Sequence, residues 1–209
     1  MLEARVPAIA GIVLAGGRSR RMGSDKASLV FDGETLLQRT VSALAAVVDE
    51  IIVVRAPGTV LPSIAAPCPL RDVEDPVEGE GPLVGIARGL EAVRAPIAIV
   101  VGVDMPFLQP PLLRLLAERV LAGSRWVLPI AGGRPQPLCS AFATDALDVL
   151  RAHIEAGDRA PMAVAADLHM TRLTEDEWSV ADPDGLSFLD VDTPEDFAAA
   201  LARLEARGR

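Results

Sequence analysis

Adjacent glycines, three arginines and a lysine crowd into the segment 11–29, GIVLAGGRSRRMGSDKASL, and make it the stretch of this chain best equipped for chemistry. Gly16 and Gly17 directly follow an apolar, β-branched run. Without a Cβ in the way, glycine amides can close on phosphate oxygens, and Arg21 and Lys26 supply the opposing charge. The natural ligand of such a loop is a triphosphate. Residues 18–26 hold four cations (Arg18, Arg20, Arg21 and Lys26) against Asp25 alone, a local +3 in a chain of formal net charge −9. An isolated basic turn would read as a solvated loop, but one placed directly after a buried strand in an acidic chain reads as an anion site. Commoner phosphate motifs do not fit. Gly16 and Gly17 are adjacent rather than spaced as GxGxxG, and Lys26 does not follow a glycine as in GxxxxGK. Nor is GRSRR a GxSxG nucleophile elbow, since Arg21 stands where its second glycine belongs.

A second candidate is Asp104 in GVDMPFL, just past the apolar run Ile97–Val103. Magnesium takes oxygen ligands, keeps several waters and bridges one or two carboxylates to phosphates, so a strand-end aspartate beside a phosphate loop suits it. Without the glycine loop, Asp104 would read equally well as a turn cap. Gly81, Gly85 and Gly89 follow a GxxxG spacing, but Glu80 and Arg88 among them argue for close packing inside a soluble fold rather than a membrane helix pair. His153 and His169 have no metal-ligating neighbour at helical spacing and read as ordinary surface or core residues. Trp126 and Trp178 read as packing residues, and Cys139 as a small buried hydrophobe.

These residues need elements to hold them. Short β-branched runs (AIAGIVLA, EIIVV, PIAIVVGV) alternate with helical patterns (LLQRTVSALAAV, LVGIARGLEAV, LLRLLAERVL), the rhythm of a parallel sheet. Ile12–Leu14, Ile51–Val54 and Ile97–Val101 are almost wholly apolar, as in strands covered by helices on both faces. The expected fold is α/β, a Rossmann-like three-layer sandwich with a mostly parallel central sheet, formed by 1–209 as one domain. Ligands of such sheets bind beyond the carboxyl ends of the strands, which selects the segments after Leu14, Val54 and Val103. WVLPIAG and PLCSAFAT predict further strands; ALDVLRAHIEA and PEDFAAALARLEA predict helices, the last with Thr193 as N-cap and Pro194 at its first position. The proline-rich stretch Val54–Asp75 predicts a surface excursion.

Composition narrows the function. The 209 residues, half of them hydrophobic, suffice for one sizeable core. With 20 basic and 29 acidic residues, no general attraction to nucleic acid is expected. No apolar run approaches the roughly 20 residues of a membrane helix, and the N-terminal residues do not read as a secretory signal. Cys68 and Cys139 form neither a disulfide framework nor a zinc motif, which fits a reducing cytoplasm.

The run Leu14–Leu29 resembles the molybdenum cofactor guanylyltransferase family, matching its signature LAGGxSxRMGxDKxxL at every fixed position. Related nucleotidyltransferases often carry LAAG instead and use pyrimidine nucleotides, so by resemblance Gly16 favours GTP; a missing Cβ would leave room there for a base edge. EDPVEGEGPLVGI resembles the family segment in which an aspartate precedes GPLAG, RPQPLCSAF its acceptor-facing QPL strand, and FLDVDTPEDF its closing NxNTPEDL motif. The resemblance implies a nucleotidyltransferase-type fold and magnesium-dependent GMP transfer from GTP to the terminal phosphate of molybdopterin or molybdenum cofactor, with cofactor-delivery proteins or molybdoenzymes as further partners. It implies Arg21, Lys26 and Asp104 as catalytic residues. Nucleotide contacts would come from Leu14, Ala15, Gly16, Gly17, Lys26, Arg55, Asp75, Gly81, Pro82, Leu83 and Asp104. Gln136 and Pro137 would meet the acceptor, and Asp104 and Asp192 the metal. Three positions depart from the family: Asp190 and Asp192 replace its asparagines, as in pyrimidine-using relatives, and Arg55 stands where the guanylyl branch often has asparagine. A cytidylyltransferase, another transferase of this fold with a different phosphorylated acceptor, and a non-catalytic nucleotide-binding regulator stay open. Residues 150–186 match no family segment.

Overall fold

The computed structural model describes residues 8–16, 26–75 and 79–207; Gly17 and Arg21 lie outside the described residues. In chain order the strands are β1 (Ile9–Leu14), β2 (Val30–Phe31), β3 (Glu34–Thr35), β4 (Glu50–Arg55), β5 (Leu70–Glu74), β6 (Ile97–Gly102), β7 (Trp126–Ala131), β8 (Arg134–Pro135), β9 (Cys139–Ala143) and β10 (Thr171–Leu173). The α-helices are α1 (Leu36–Ala45), α2 (Pro82–Ala92), α3 (Pro110–Leu121), α4 (Leu147–Glu155), α5 (Glu175–Trp178) and α6 (Pro194–Arg207).

Side chains of β4 alternate between two apolar layers, Ile51 and Val53 entering one and Ile52 and Val54 the other. Strands buried this way need apolar residues at consecutive positions, which is why β1, β4 and β6 read as unbroken runs. The first layer is closed by α1 through Leu37, Val41 and Leu44 and by α3 through Leu112, Leu116 and Val120; the second by α2 through Leu83, Ile86, Ala87 and Leu90. Those spacings of three and four put each set on one helical stripe. Helices on both faces make the expected three-layer α/β sandwich.

The main sheet runs β10-β7-β9-β6-β1-β4-β5, with β8 paired to β7 off that path. β1 pairs parallel with β4 and β6, β4 with β5, and β10 with β7; β9 runs against both its neighbours, β6 and β7. Leu14 lies in register with Val54 on one side and Gly102 on the other, so the loops after β1, β4 and β6 leave from one edge.

The sequence reading of Val54–Asp75 needs correction. Most of it is an irregular, proline-rich excursion, but Leu70–Glu74 forms the edge strand β5, with Val54 opposite Val73. Its Arg71, Asp72 and Glu74 hide it from a search for apolar runs, and an outermost strand tolerates, even favours, such charges. Residues 150–186 supply most of α4, the second edge strand β10, and α5.

A third apolar cluster joins Phe31, Leu36, Phe107, Leu186, Val191 and Ala200, seating α6 and the segment before it beside the loop that follows β6. Phe31 meets Phe107 and Phe197 edge-on, each at 5.6 Å between centroids. Thr193 caps α6 as expected: its Oγ1 accepts the Asp196 N–H at 3.1 Å, while the Asp196 carboxylate accepts the Thr193 N–H at 2.9 Å. Trp126 stacks on Phe142 inside the core, and Trp178 packs against Phe188 while its Nε1 donates to the Ile130 carbonyl at 2.9 Å. Among the described residues no helix is long and apolar enough to cross a membrane.

Candidate active site

At the common carboxyl edge of β1, β4 and β6 lies a cavity of about 420 Å³. Leu14, Ala15 and Gly16 form its β1 side and Val103 and Asp104 its β6 side; Gly81 and Pro82 at the start of α2 face them, with Lys26, Asp75 and Leu138 completing the wall. The β1 side is set by main chain: Ala15 donates its N–H to the Val54 carbonyl at 2.8 Å, and Val103 donates to the Leu14 carbonyl at 3.2 Å.

Glycines decide how closely this wall can be drawn. A Cβ on Gly16 would lie 3.0 Å from the Ala56 nitrogen, so the β1 loop passes against the backbone leaving β4. The direction a side chain at 16 would take is thus filled by main chain, while Gly16 itself stays in the cavity wall. Gly81 has φ +97°, and a Cβ there would meet the Arg159 carbonyl oxygen at 2.9 Å. That same carbonyl accepts the Leu83 N–H at 3.2 Å, so the start of α2 is already capped from the α4 side. Gly89 packs on Ile12, the close helix-to-sheet contact its spacing allowed.

Lys26 links two carboxylates far apart in sequence. Its Nζ lies 2.8 Å from Asp104 Oδ2 and 2.5 Å from Asp192 Oδ1. Burial works against the ammonium, but the hydrogen bonds and charges of Asp104 and Asp192 outweigh it and raise the Lys26 pKa above its ordinary value. Asp190 is pushed up to about 7, first by loss of water around its carboxyl and then by the charges of Asp104 and Asp192. Asp190 as a residue remains exposed, so solvent screens part of that repulsion. The Lys26 ammonium marks a point reached by two carboxylate oxygens at once, which is the hard, oxygen-only donor set that magnesium takes. Among the described residues no group of three or more His, Cys, Asp or Glu side chains forms a closed protein cage, and a metal shared with substrate phosphates needs none.

The other expected site residues divide. Leu14, Ala15, Gly16, Lys26, Asp75, Gly81, Pro82 and Asp104 line the cavity, and Asp192 joins it through Lys26. Leu83 does not: its side chain is buried in the second apolar layer. Arg55 also turns away, its Nε 2.6 Å from Asp72 and an Nη 2.6 Å from Glu74, so that hydrogen bonds from β5 hold its pKa up. The excess of acidic residues on the unforeseen edge strand captures it. Gln136 and Pro137 lie just before Leu138 rather than in the wall; Gln136 Nε2 donates to the Arg134 carbonyl at 3.4 Å, and the Pro137 carbonyl accepts from Ser140 Oγ at 2.7 Å. Gly102 was missed. A Cβ there would fall 2.5 Å from Asp104 Oδ1, so a glycine two residues ahead clears the carboxylate's position. Cys139 is fully buried and its thiol pKa is raised by burial, leaving it unreactive.

Known proteins share much of this sequence and its fold. The family described as "MobA-like NTP transferase domain" matches residues 11–172. A protein of Chloroflexus aggregans named "Probable molybdenum cofactor guanylyltransferase" is 35% identical over 202 residues, covering 94% of this chain and 95% of its own length. The crystal structure of molybdopterin-guanine dinucleotide biosynthesis protein A from Archaeoglobus fulgidus superposes with a TM-score of 0.78 at 23% identity, over 94% of this chain and 99% of that one. The crystal structure of 2-C-methyl-D-erythritol 4-phosphate cytidylyltransferase from Thermus thermophilus also superposes, with a TM-score of 0.68 at 20% identity over 93% of this chain and 98% of that one. The fold therefore does not choose the base.

Proposed function

As the chain belongs to the MobA-like NTP transferase family, we propose that it transfers GMP from GTP to the terminal phosphate of molybdopterin, with or without molybdenum, and releases pyrophosphate. The acting unit is the whole chain, 1–209. The observation that carries the chemistry is the meeting of Lys26, Asp104 and Asp192 at the cavity wall, opposite a glycine-lined edge. Guanine and molybdopterin are taken from the names of relatives; the site supports phosphoryl transfer in general.

In this reading a terminal phosphate oxygen of the acceptor attacks the α-phosphorus of GTP in line, a new P–O bond forms, and the α–β bridging bond breaks. No covalent enzyme intermediate is needed. The main chain of 14–17 and the start of α2 hold the nucleotide, so that positioning supplies much of the rate. Lys26 and Arg21 balance charge accumulating on the departing pyrophosphate. In this reading Gln136 and Pro137, just outside the cavity wall, would contact the acceptor. Magnesium, held by Asp104 and Asp192, would add positive charge at the phosphates. Free Cys68 and Cys139 fit a cytoplasmic setting, where thiols stay reduced.

The aspartates at 190 and 192 keep CTP in view as the competing nucleotide. The test is magnesium-dependent pyrophosphate release from the purified protein with molybdopterin and, separately, GTP, CTP, ATP or UTP, repeated without acceptor. Release with GTP alone supports guanylyl transfer. Preference for CTP reassigns the base, and silence with all four despite nucleotide binding means that molybdopterin is the wrong acceptor or that the protein only senses nucleotide.

A further inference from the structure

The segment between α5 and α6 carries Asp190 and Asp192, and little regular structure stiffens it beyond a short 3-10 turn at Leu186–Phe188. Its path is nevertheless fixed from several sides. At its start Asp182, only 2% exposed, accepts the Leu186 N–H on Oδ1 at 3.2 Å and the Ser187 N–H on Oδ2 at 2.8 Å. Ser187 is buried as well, and its Oγ accepts the Gln109 N–H at the head of α3, at 2.9 Å. Farther along, Val191 donates its N–H to the Asp104 carbonyl at 2.9 Å, and Asp196 accepts the N–H of Asp192 at 3.3 Å. The chain of contacts thus runs from Asp182 through Ser187 to α3, and the metal-side carboxylate follows five residues later.

A carboxylate loses much on burial and is tolerated when its oxygens accept several hydrogen bonds. Two acceptor oxygens on one side chain suit two successive amides at the turn entered by Gly185, whose φ is +62°. Asparagine has the same size but offers one acceptor and one donor, so it would oppose N–H to N–H at one of these amides.

We propose that Asp182 is a positioning residue: by fixing the amides of 186 and 187 against α3, it sets where Asp192 stands relative to Lys26 and Asp104, and so tunes how tightly that carboxylate pair holds a divalent cation. This rests on the reading of Asp104 and Asp192 as metal ligands given above. Removing an outer support of a metal ligand typically weakens binding by about 10- to 100-fold.

The experiment is a double-mutant cycle on Mn2+ binding, followed by the loss of the free-ion electron paramagnetic resonance signal, with the whole chain saturated by a non-hydrolysable GTP analogue. Asp182→Asn is expected to raise the Mn2+ dissociation constant about tenfold, but to change it less than about twofold in an Asp192→Ala background. Affinity for the analogue should stay within about twofold. A structural role alone would predict the same factor in both backgrounds. Unchanged Mn2+ affinity in Asp182→Asn, a tenfold loss that persists without Asp192, or Asp192→Ala without effect would each overturn the proposal. Should Asp182→Asn fail to fold, Ser187→Ala cuts the same support at its α3 end and must show a weakening that likewise vanishes in Asp192→Ala. The cycle needs no acceptor, so a wild-type protein that binds Mn2+ normally yet releases no pyrophosphate with molybdopterin counts against that acceptor or against catalysis and leaves the positioning role standing.

Discussion

Replacing Lys26 with methionine keeps the aliphatic stem and removes the ammonium that joins Asp104 to Asp192. Lys26 and Asp104 have side chains 16% and 23% exposed, so their 2.8 Å contact is a shielded, charge-assisted hydrogen bond contributing about 1.5–3 kcal/mol. The Asp192 side chain is 58% exposed, and that pair adds roughly 0–1 kcal/mol. Losing both, with relief of the lysine's own burial, is expected to lower folding stability by about 2–3 kcal/mol, or roughly 4–12 °C in Tm for a chain of this size. Turnover should fall further, by about 10²- to 10³-fold, because the same cation serves the leaving pyrophosphate. Differential scanning calorimetry and pyrophosphate release measure the two effects independently. The stability loss should shrink below about 0.5 kcal/mol when Asp104 and Asp192 are both alanine, since the lysine then has no carboxylate to bridge. A Lys26→Met protein that melts with the wild type and turns over within about threefold would refute both assignments.

Four further outcomes follow from the same geometry. Asp104→Ala should lose turnover by about 10²-fold or more while its far-UV circular dichroism stays unchanged; near-normal rates would remove Asp104 from the mechanism. Gly81→Ala meets both a positive φ and the Arg159 carbonyl, so it should destabilise by about 2–3 kcal/mol and raise the KM for GTP; thermal melts and a nucleotide titration would check this. Arg55→Ala should leave the KM for GTP within about twofold, because its guanidinium is spent on Asp72 and Glu74; a tenfold rise would return it to the nucleotide site. His153 is held by Asp158 at 2.8 Å and Asp167 at 2.7 Å, both of which raise its pKa above the ordinary imidazole value. Its contribution to stability is therefore full below about pH 6.5 and lost as pH rises through the raised value, so His153→Gln should lower Tm at about pH 5.5 and hardly at pH 9. Equal shifts at both pH values would show that the charge is not involved.

How much of this could be read from the residues depended on which force held them. The apolar runs of β1, β4 and β6 were legible because burial on both faces leaves no room for polar positions, and Thr193 was legible because capping is local. β5 was not: an edge strand of LRDVE has neither an apolar run nor a turn signal, and missing it left Arg55 without its true partners. The lysine-aspartate junction was half visible. Lys26 and Asp104 each stood out in their own motifs, but their contact with each other and with Asp192 spans 78 and 166 residues of chain, which no spacing rule reaches. Asp182 and the His153 contacts escaped for a different reason: they close over 4 to 14 residues, but across irregular turns where no helix or strand period fixes which side chains meet. Gly102 carried a readable hint, a glycine two positions before a strand-end carboxylate, though its meaning needed the rotamer of Asp104.

The tight passage of Gly16 past the Arg55–Ala56 backbone bears on how this scaffold could change its nucleotide over evolution. Alanine at 16 would act as a wedge between two loops. A single methyl group would have to be accommodated by moving the turn after β4, and that turn is anchored by the Gly58 N–H to Glu74 and by Arg55 to the edge strand. Lineages that carry alanine-glycine in place of the Gly16–Gly17 pair should therefore show compensating changes in residues 55–59 and in β5, well outside the ligand contacts. Redesign of base preference would begin with that turn, and a library confined to the cavity wall would leave the obstacle in place.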